Sequence, residues 1–183
     1  MENIRRRGPG ARLLLMVPAG ALMLLGLYAG LLLVGLPLPS LADRLAELHA
    51  PVLVFGFVGT LIALERAVAL GARRWFAAPA LLILGTLAIL APIPVGIGQL
   101  TVTVGLAVHA AQYVAIWRRQ PMTATAVQAL GAVAAVAAAV AWCGGTPPAR
   151  LVPLLACFLI LTIAGERLEL ARLHAPGSTA ERL

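Results

Sequence analysis

Apolar residues fill most of the chain and form six long runs, separated by short breaks rich in proline, glycine and arginine. An α-helix needs about 20 apolar residues to cross the hydrocarbon core of a bilayer. Proline and glycine end the runs, because neither residue continues a helix without cost. The pattern predicts an all-α fold: a polytopic integral membrane protein with six transmembrane helices in a compact bundle. The predicted spans are residues 13–36, 50–70, 75–91, 98–117, 123–142 and 151–170.

The placement of arginine predicts how these spans are oriented. All 14 basic residues are arginine, and most lie at the ends of the apolar runs. If the N-terminus is cytoplasmic and the spans alternate, only Arg44 and Arg150 lie outside, and the other twelve arginines face the cytoplasm. Cytoplasmic segments of membrane proteins carry such an excess of positive charge. We therefore expect a multi-pass protein of the bacterial inner membrane with both termini in the cytoplasm. The expected parts are a basic N-terminal segment (1–12), a six-helix transmembrane domain (13–172) and a cytoplasmic tail (173–183).

Composition narrows the class of protein further. Hydrophobic residues make up 61% of the chain and charged residues 11%, whereas a soluble domain carries about 25% charged residues. A water-soluble globule, a disordered tail and a nucleic-acid-binding module are therefore excluded, despite the net charge of +7. The sequence has no phosphate-binding loop, Cys-x-x-Cys or His-Glu-x-x-His motif, which argues against an enzyme. The expected partners are the lipid bilayer and homo- or hetero-oligomeric membrane proteins, because alanine and glycine let transmembrane helices pack closely.

Residues 37–49 form the longest segment predicted to lie outside the spans. Ser40 and Asp43 have the spacing of a helix-capping box. Two interpretations are open. The segment is either a short interfacial helix that leads into the second span with a bend at Pro51, or part of a second span that begins near Ser40 as one kinked helix.

Two spans contain the same Glu-Arg pair near their cytoplasmic ends. Glu65-Arg66 in the second span recurs as Glu166-Arg167 in the sixth, 101 residues later. Ionisable residues inside a span are costly and are normally paired. Neighbouring residues point about 100° apart around a helix, so we expect pairs between the two helices, Glu65 with Arg167 and Glu166 with Arg66. Such pairs form either a structural clamp or a proton or ion gate.

Three histidines lie in different surroundings. His174 belongs to the tail, and His49 lies at the outer mouth of the second span. His109 lies in the fourth span, about 16 Å along the helix and near the bilayer midplane. Because lipid cannot satisfy polar groups, its face of the helix should point to protein, a cofactor or water. The residues that share this face are Thr101, Gly105 and Gln112, flanked by Tyr113.

Three roles are open for His109. A neutral imidazole nitrogen binds haem iron or copper, so His49 and His109 are candidate metal ligands, and Gln112 and Tyr113 are candidate cofactor-binding residues. A depth gap of about 10–15 Å between the two histidines argues against one iron bound by both, and favours separate sites or sites completed by a partner. The alternatives for His109 are a structural histidine that hydrogen-bonds a neighbouring helix, and a proton relay.

One segment resembles a known family. His49-Ala50 is followed after four residues by Phe55-Gly56-Phe57, a pattern similar to the start of the second helix in the NnrS family of bacterial membrane proteins. The resemblance implies a membrane-embedded protein that binds haem b or copper and is associated with respiration or nitric-oxide stress. The alternative function is a non-catalytic structural or accessory subunit of a larger membrane complex for electron transfer or pigment binding.

Overall fold

The computed structural model describes residues 10–39 and 44–174. This part of the chain is all-helical, which confirms the all-α part of the prediction, and it contains six helices long and apolar enough to cross a membrane. The connections between consecutive helices from α2 to α6 have two to four residues, so these helices run antiparallel. The helices are α1 Gly10–Leu33, α2 Ala46–Leu70, α3 Arg73–Leu90, α4 Val95–Arg119, α5 Thr123–Cys143 and α6 Pro148–His174.

This order gives the bundle two unlike ends. Helices α2, α4 and α6 finish at the same end at which α3 and α5 begin, and we call it the arginine-rich end. Arg44 and Arg150 lie at the opposite end, next to the starts of α2 and α6. The arginines at the arginine-rich end within the described helices include Arg66, Arg73, Arg74, Arg118, Arg119 and Arg167.

Helix α2 lies at the centre of the bundle and changes its winding along its length. It opens with a 3₁₀ turn at Ala46–Leu48, is π-helical over Val52–Gly59 and continues as an α-helix over Thr60–Leu70. Gly56, in the π-helical part, lies so close to α3 that an added Cβ atom would stand 2.8 Å from Thr86 Cγ2. The predicted cap formed by Ser40 and Asp43 lies outside the described residues.

Small residues bring α5 and α6 together. A Cβ atom added to Gly165 of α6 would lie 2.4 Å from Gln128 Cγ and 2.9 Å from the Ala124 carbonyl oxygen of α5. Ala135 and Ala138 of α5 are fully buried. Close approach of this kind gives transmembrane helices their van der Waals contact. The outer surface of the bundle is apolar, with large exposed side chains on α1, α5 and α6 such as Leu24, Leu130 and Ile160.

Candidate functional site

Hydrogen bonds centred on Gln112 join α4 to α2 and to the start of α3. Gln112 and His109 lie on the same face of α4, and both are fully buried. His109 Nδ1 and Gln112 Oε1 are 2.8 Å apart. The Gln112 amide Nε2 donates to the carbonyl oxygens of Ala63 and Trp75, each at 3.0 Å. One side chain therefore holds three helices together.

These contacts fix the tautomer of His109. Carbonyl oxygens only accept hydrogen bonds, so the Gln112 amino group must face Ala63 and Trp75, and its oxygen must face His109. That oxygen needs a donor, so Nδ1 of His109 carries the hydrogen. In a neutral imidazole, Nε2 is then a bare acceptor nitrogen. It is buried and has no hydrogen-bond partner among the described residues.

Aromatic rings and a guanidinium group continue the cluster from His109 towards the arginine-rich end. The His109 ring meets the Tyr113 ring edge-on, with centroids 5.1 Å apart, and the Phe158 ring of α6 at 6.3 Å. Arg66 of α2 lies over the Tyr113 ring, with Cζ 5.9 Å from its centroid. This separation is within the range of a cation–π contact. The polar face of α4 and the Glu-Arg pair of α2, two separate features in the sequence, thus form one polar cluster.

Arg66 lies between two glutamates at the end of the cluster nearest the arginine-rich end. Its Nη2 atom lies 3.6 Å from Glu166 Oε1 of α6 and 3.7 Å from Glu65 Oε1. The expected contact between Arg66 and Glu166 is present. The structure differs for the second expected pair: Glu65 contacts its own neighbour, and Arg167 is exposed and forms no ion pair with the described residues. The expected pair of Glu65 with Arg167 is therefore wrong, because the long side chains of Glu65 and Arg66 bend far enough to overcome the ~100° between adjacent positions.

Four buried polar atoms in and next to this cluster have no hydrogen-bond partner within the described part of the chain. Each such atom costs about 1–3 kcal/mol, and a concentration of them marks a strained or functional region. The four atoms in and next to the cluster are Arg66 Nε, Trp75 Nε1, His109 Nε2 and Tyr113 Oη. Two further buried atoms without a partner among the described residues lie between α5 and α6, on Gln128 and Thr162.

His49 lies apart from this cluster. It belongs to the first turns of α2, at the end of the bundle opposite the arginine-rich end, and its Nδ1 is 3.2 Å from the Ala46 carbonyl oxygen. Thr101 is also not part of the cluster. Its hydroxyl is exposed and donates to the Ile97 carbonyl oxygen of its own helix at 2.7 Å. Of the predicted site residues, the structure therefore brings together His109, Gln112, Tyr113, Arg66, Glu65 and Glu166.

The packing of His109 bears on whether a metal or haem fits. The described residues include no group of three or more His, Cys, Asp or Glu side chains that could hold a metal ion. His109 is enclosed between the rings of Tyr113 and Phe158. Because His109 is fully buried, a metal ion, and still more a porphyrin, would reach Nε2 only if neighbouring side chains moved. As packed, the site fits a hydrogen-bonded structural histidine, and ligation of haem or copper stays a prediction.

The fold and the site define a helical bundle protein of membrane-spanning dimensions, with a polar cluster that runs from buried His109 to the arginine-rich end. The chain belongs to the family described as Domain of unknown function (DUF8744), whose model matches residues 12–183. The match extends over all six helices. No curated protein and no solved structure matches the chain. The resemblance to the NnrS family stays a prediction.

Proposed function

We propose that the protein is a non-catalytic structural or accessory subunit of a larger membrane complex. In this proposal its six helices span the bacterial inner membrane and both termini lie in the cytoplasm. The Gln112 side chain is the observation that carries the proposal, because its contacts with His109, Ala63 and Trp75 bind α4 to α2 and α3. Interhelical hydrogen bonds of this kind stabilise transmembrane bundles. The central polar groups therefore serve the scaffold.

Helix α1 supports the part of the proposal that concerns a partner. It is the least buried of the six helices, with 22% of its apolar window buried, against 61% for α2. Gly20 and Gly30 on α1 would each have open space around an added Cβ atom. Small residues let a second transmembrane helix approach closely. We expect a helix of an electron-transfer or pigment-binding partner, or of a second copy of the chain, to pack here.

Extraction from the native membrane in a mild detergent tests this proposal. We expect the chain to migrate in an assembly much larger than its own 18.9 kDa plus detergent. Gly20→Leu should release it, because the larger side chain blocks close approach on α1. Gly96→Leu is the matched control, since this glycine on α4 is also surrounded by open space. A chain that migrates alone in its unmodified form would refute the proposal.

A second candidate function is favoured by the bare Nε2 atom of His109. A metal-ligating histidine usually donates its other ring nitrogen to a neighbouring acceptor, which fixes the tautomer, and Gln112 provides that acceptor here. In this alternative His109 ligates haem b iron or copper, in a role associated with respiration or nitric-oxide stress, and neighbouring side chains move to admit it.

An absorption spectrum and the metal content of the purified protein separate the two functions. Haem or copper at one equivalent per chain, lost in His109→Ala and kept in His49→Ala, would establish the second function. An uncoloured protein with less than a stoichiometric amount of iron or copper supports the first.

A further inference from the structure

Four arginines lie at the start of α3 and the end of α4, next to the junction of these helices with α2 at the arginine-rich end. Two hydrogen bonds fix this junction: Arg119 Nη2 donates to the Leu70 carbonyl oxygen at 3.2 Å, and Gln112 donates to Trp75 in the turn that opens α3. All four arginines are exposed. We call this group the arginine corner, and it consists of Arg73, Arg74, Arg118 and Arg119.

Within the part of the chain that the structure describes, no carboxylate forms an ion pair with the arginine corner. Between Glu65 and Glu166 the sequence contains neither aspartate nor glutamate. Within the described residues, the ion pairs are those of Arg66 with these two glutamates, and none involves the corner. Like charges held close together repel one another. An anion bound between them would therefore relieve the repulsion.

Two tryptophans favour a position of the corner at the depth of lipid headgroups. Trp75 and Trp117 are next to the arginines in sequence, and Arg74 Cζ lies 5.1 Å from the centre of the Trp75 ring. Tryptophan is enriched at membrane–water interfaces. The planar guanidinium group matches the geometry of phosphate oxygens and binds them through two parallel hydrogen bonds.

We propose that the arginine corner binds the phosphodiester headgroup of an anionic membrane phospholipid. Arg73, Arg74 and Arg118 contact the phosphate, and Arg119 is a positioning residue because it is bonded to Leu70. Basic pockets between transmembrane helices on the cytoplasmic side bind headgroups of this kind. The inference rests on one part of the proposed function, namely that the helices span the membrane, and is independent of the proposed role as a subunit.

Quenching of tryptophan fluorescence by brominated lipids tests the site. The full chain is reconstituted into phosphatidylcholine vesicles that contain brominated phosphatidylglycerol or the same fraction of brominated phosphatidylcholine. Trp117 is 41% exposed at the corner, whereas Trp142 is 4% exposed and far from it. We expect stronger quenching by phosphatidylglycerol. R73Q/R74Q should lower the affinity of the corner for phosphatidylglycerol, relative to phosphatidylcholine, roughly thirtyfold. Each arginine near an anionic surface contributes a factor of about five.

The controls separate the site from general electrostatics. R44Q/R150Q removes the same charge at the opposite end and should leave the preference unchanged. Flotation of the vesicles is measured first, so that a variant that fails to insert into the membrane is distinguished from one that inserts but no longer prefers phosphatidylglycerol. If R73Q/R74Q does not insert, R118Q is the second variant. Equal quenching by both lipids, or an equal loss in both double variants, would overturn the site. Release of the quenching by inorganic phosphate would instead assign the corner to free phosphate and overturn the lipid assignment.

Discussion

His109 and Gln112 lie one turn apart on α4, and the Nδ1–H of His109 donates to Gln112 Oε1 at 2.8 Å. Because the Gln112 amino group is held by two backbone carbonyls, neither side chain can rotate without breaking a buried hydrogen bond. A buried polar group left without its partner is costly. The pair is therefore part of the scaffold that positions α2, α3 and α4.

Gln112→Ala should destabilise the bundle by about 2–4 kcal/mol, since it removes three hydrogen bonds, two of them buried and one partly buried, and leaves His109 Nδ1 without an acceptor. Gln99→Ala is the matched control on the same helix. Its amide donates to the Trp142 carbonyl oxygen at 3.3 Å in a partly buried position, and its loss should cost less than about 1 kcal/mol. Reversible unfolding in mixed micelles measures both, and equal costs would show that the cluster has no special role.

Arg66→Gln should destabilise the bundle by about 1–2 kcal/mol, because it removes the ion pair with Glu166 and the cation–π contact with Tyr113. The ion pair contributes only part of this cost, since 41% of the Glu166 side chain is exposed. Arg167→Gln is the control, because that arginine is exposed and makes no ion pair within the described residues. Equal unfolding free energies for the two variants would rule out a clamp at Arg66.

Gly165→Ala should force α5 and α6 apart, because the new methyl group would meet Gln128 Cγ at 2.4 Å and the Ala124 carbonyl oxygen at 2.9 Å. Overpacking of this kind costs about 1–3 kcal/mol. Gly96→Ala adds the same methyl group where no atom lies within 4 Å, and should leave stability unchanged. An unchanged melting temperature for Gly165→Ala would mean that the two helices pack less closely than described.

Labelling of single cysteines from either side of the membrane tests the orientation predicted by the arginine distribution. With Cys143 and Cys157 both replaced, a cysteine introduced at Gly8 or Ser178 should react only from the cytoplasmic side. The native Cys143 is exposed at the opposite end of the bundle, so a separate variant that keeps Cys143 as its single cysteine should react from the outside and is the control. Reaction of either introduced cysteine from the outside would reverse the topology.

The sequence predicts the helices well, because apolar runs and their proline, glycine and arginine breaks are local signals. It also predicts that the face with His109 and Gln112 points to protein, a cofactor or water, since lipid cannot satisfy them, and the structure buries both side chains in protein. It could not identify the acceptors, because the carbonyl groups of Ala63 and Trp75 exist at every residue and carry no sequence signal. The link between Tyr113 and Arg66 depends on how α2 packs on α4, and no periodicity encodes that.

The nitrogen-15 NMR spectrum of the His109 ring in the intact, membrane-reconstituted protein tests the central claim most directly. His109→Asn identifies its signals among those of the three histidines. The account predicts a neutral ring, with a protonated Nδ1 that is hydrogen-bonded to Gln112 and an unprotonated Nε2 that binds no metal. An Nε2 signal shifted or broadened by bound iron or copper would contradict the account, as would a ring whose proton resides on Nε2.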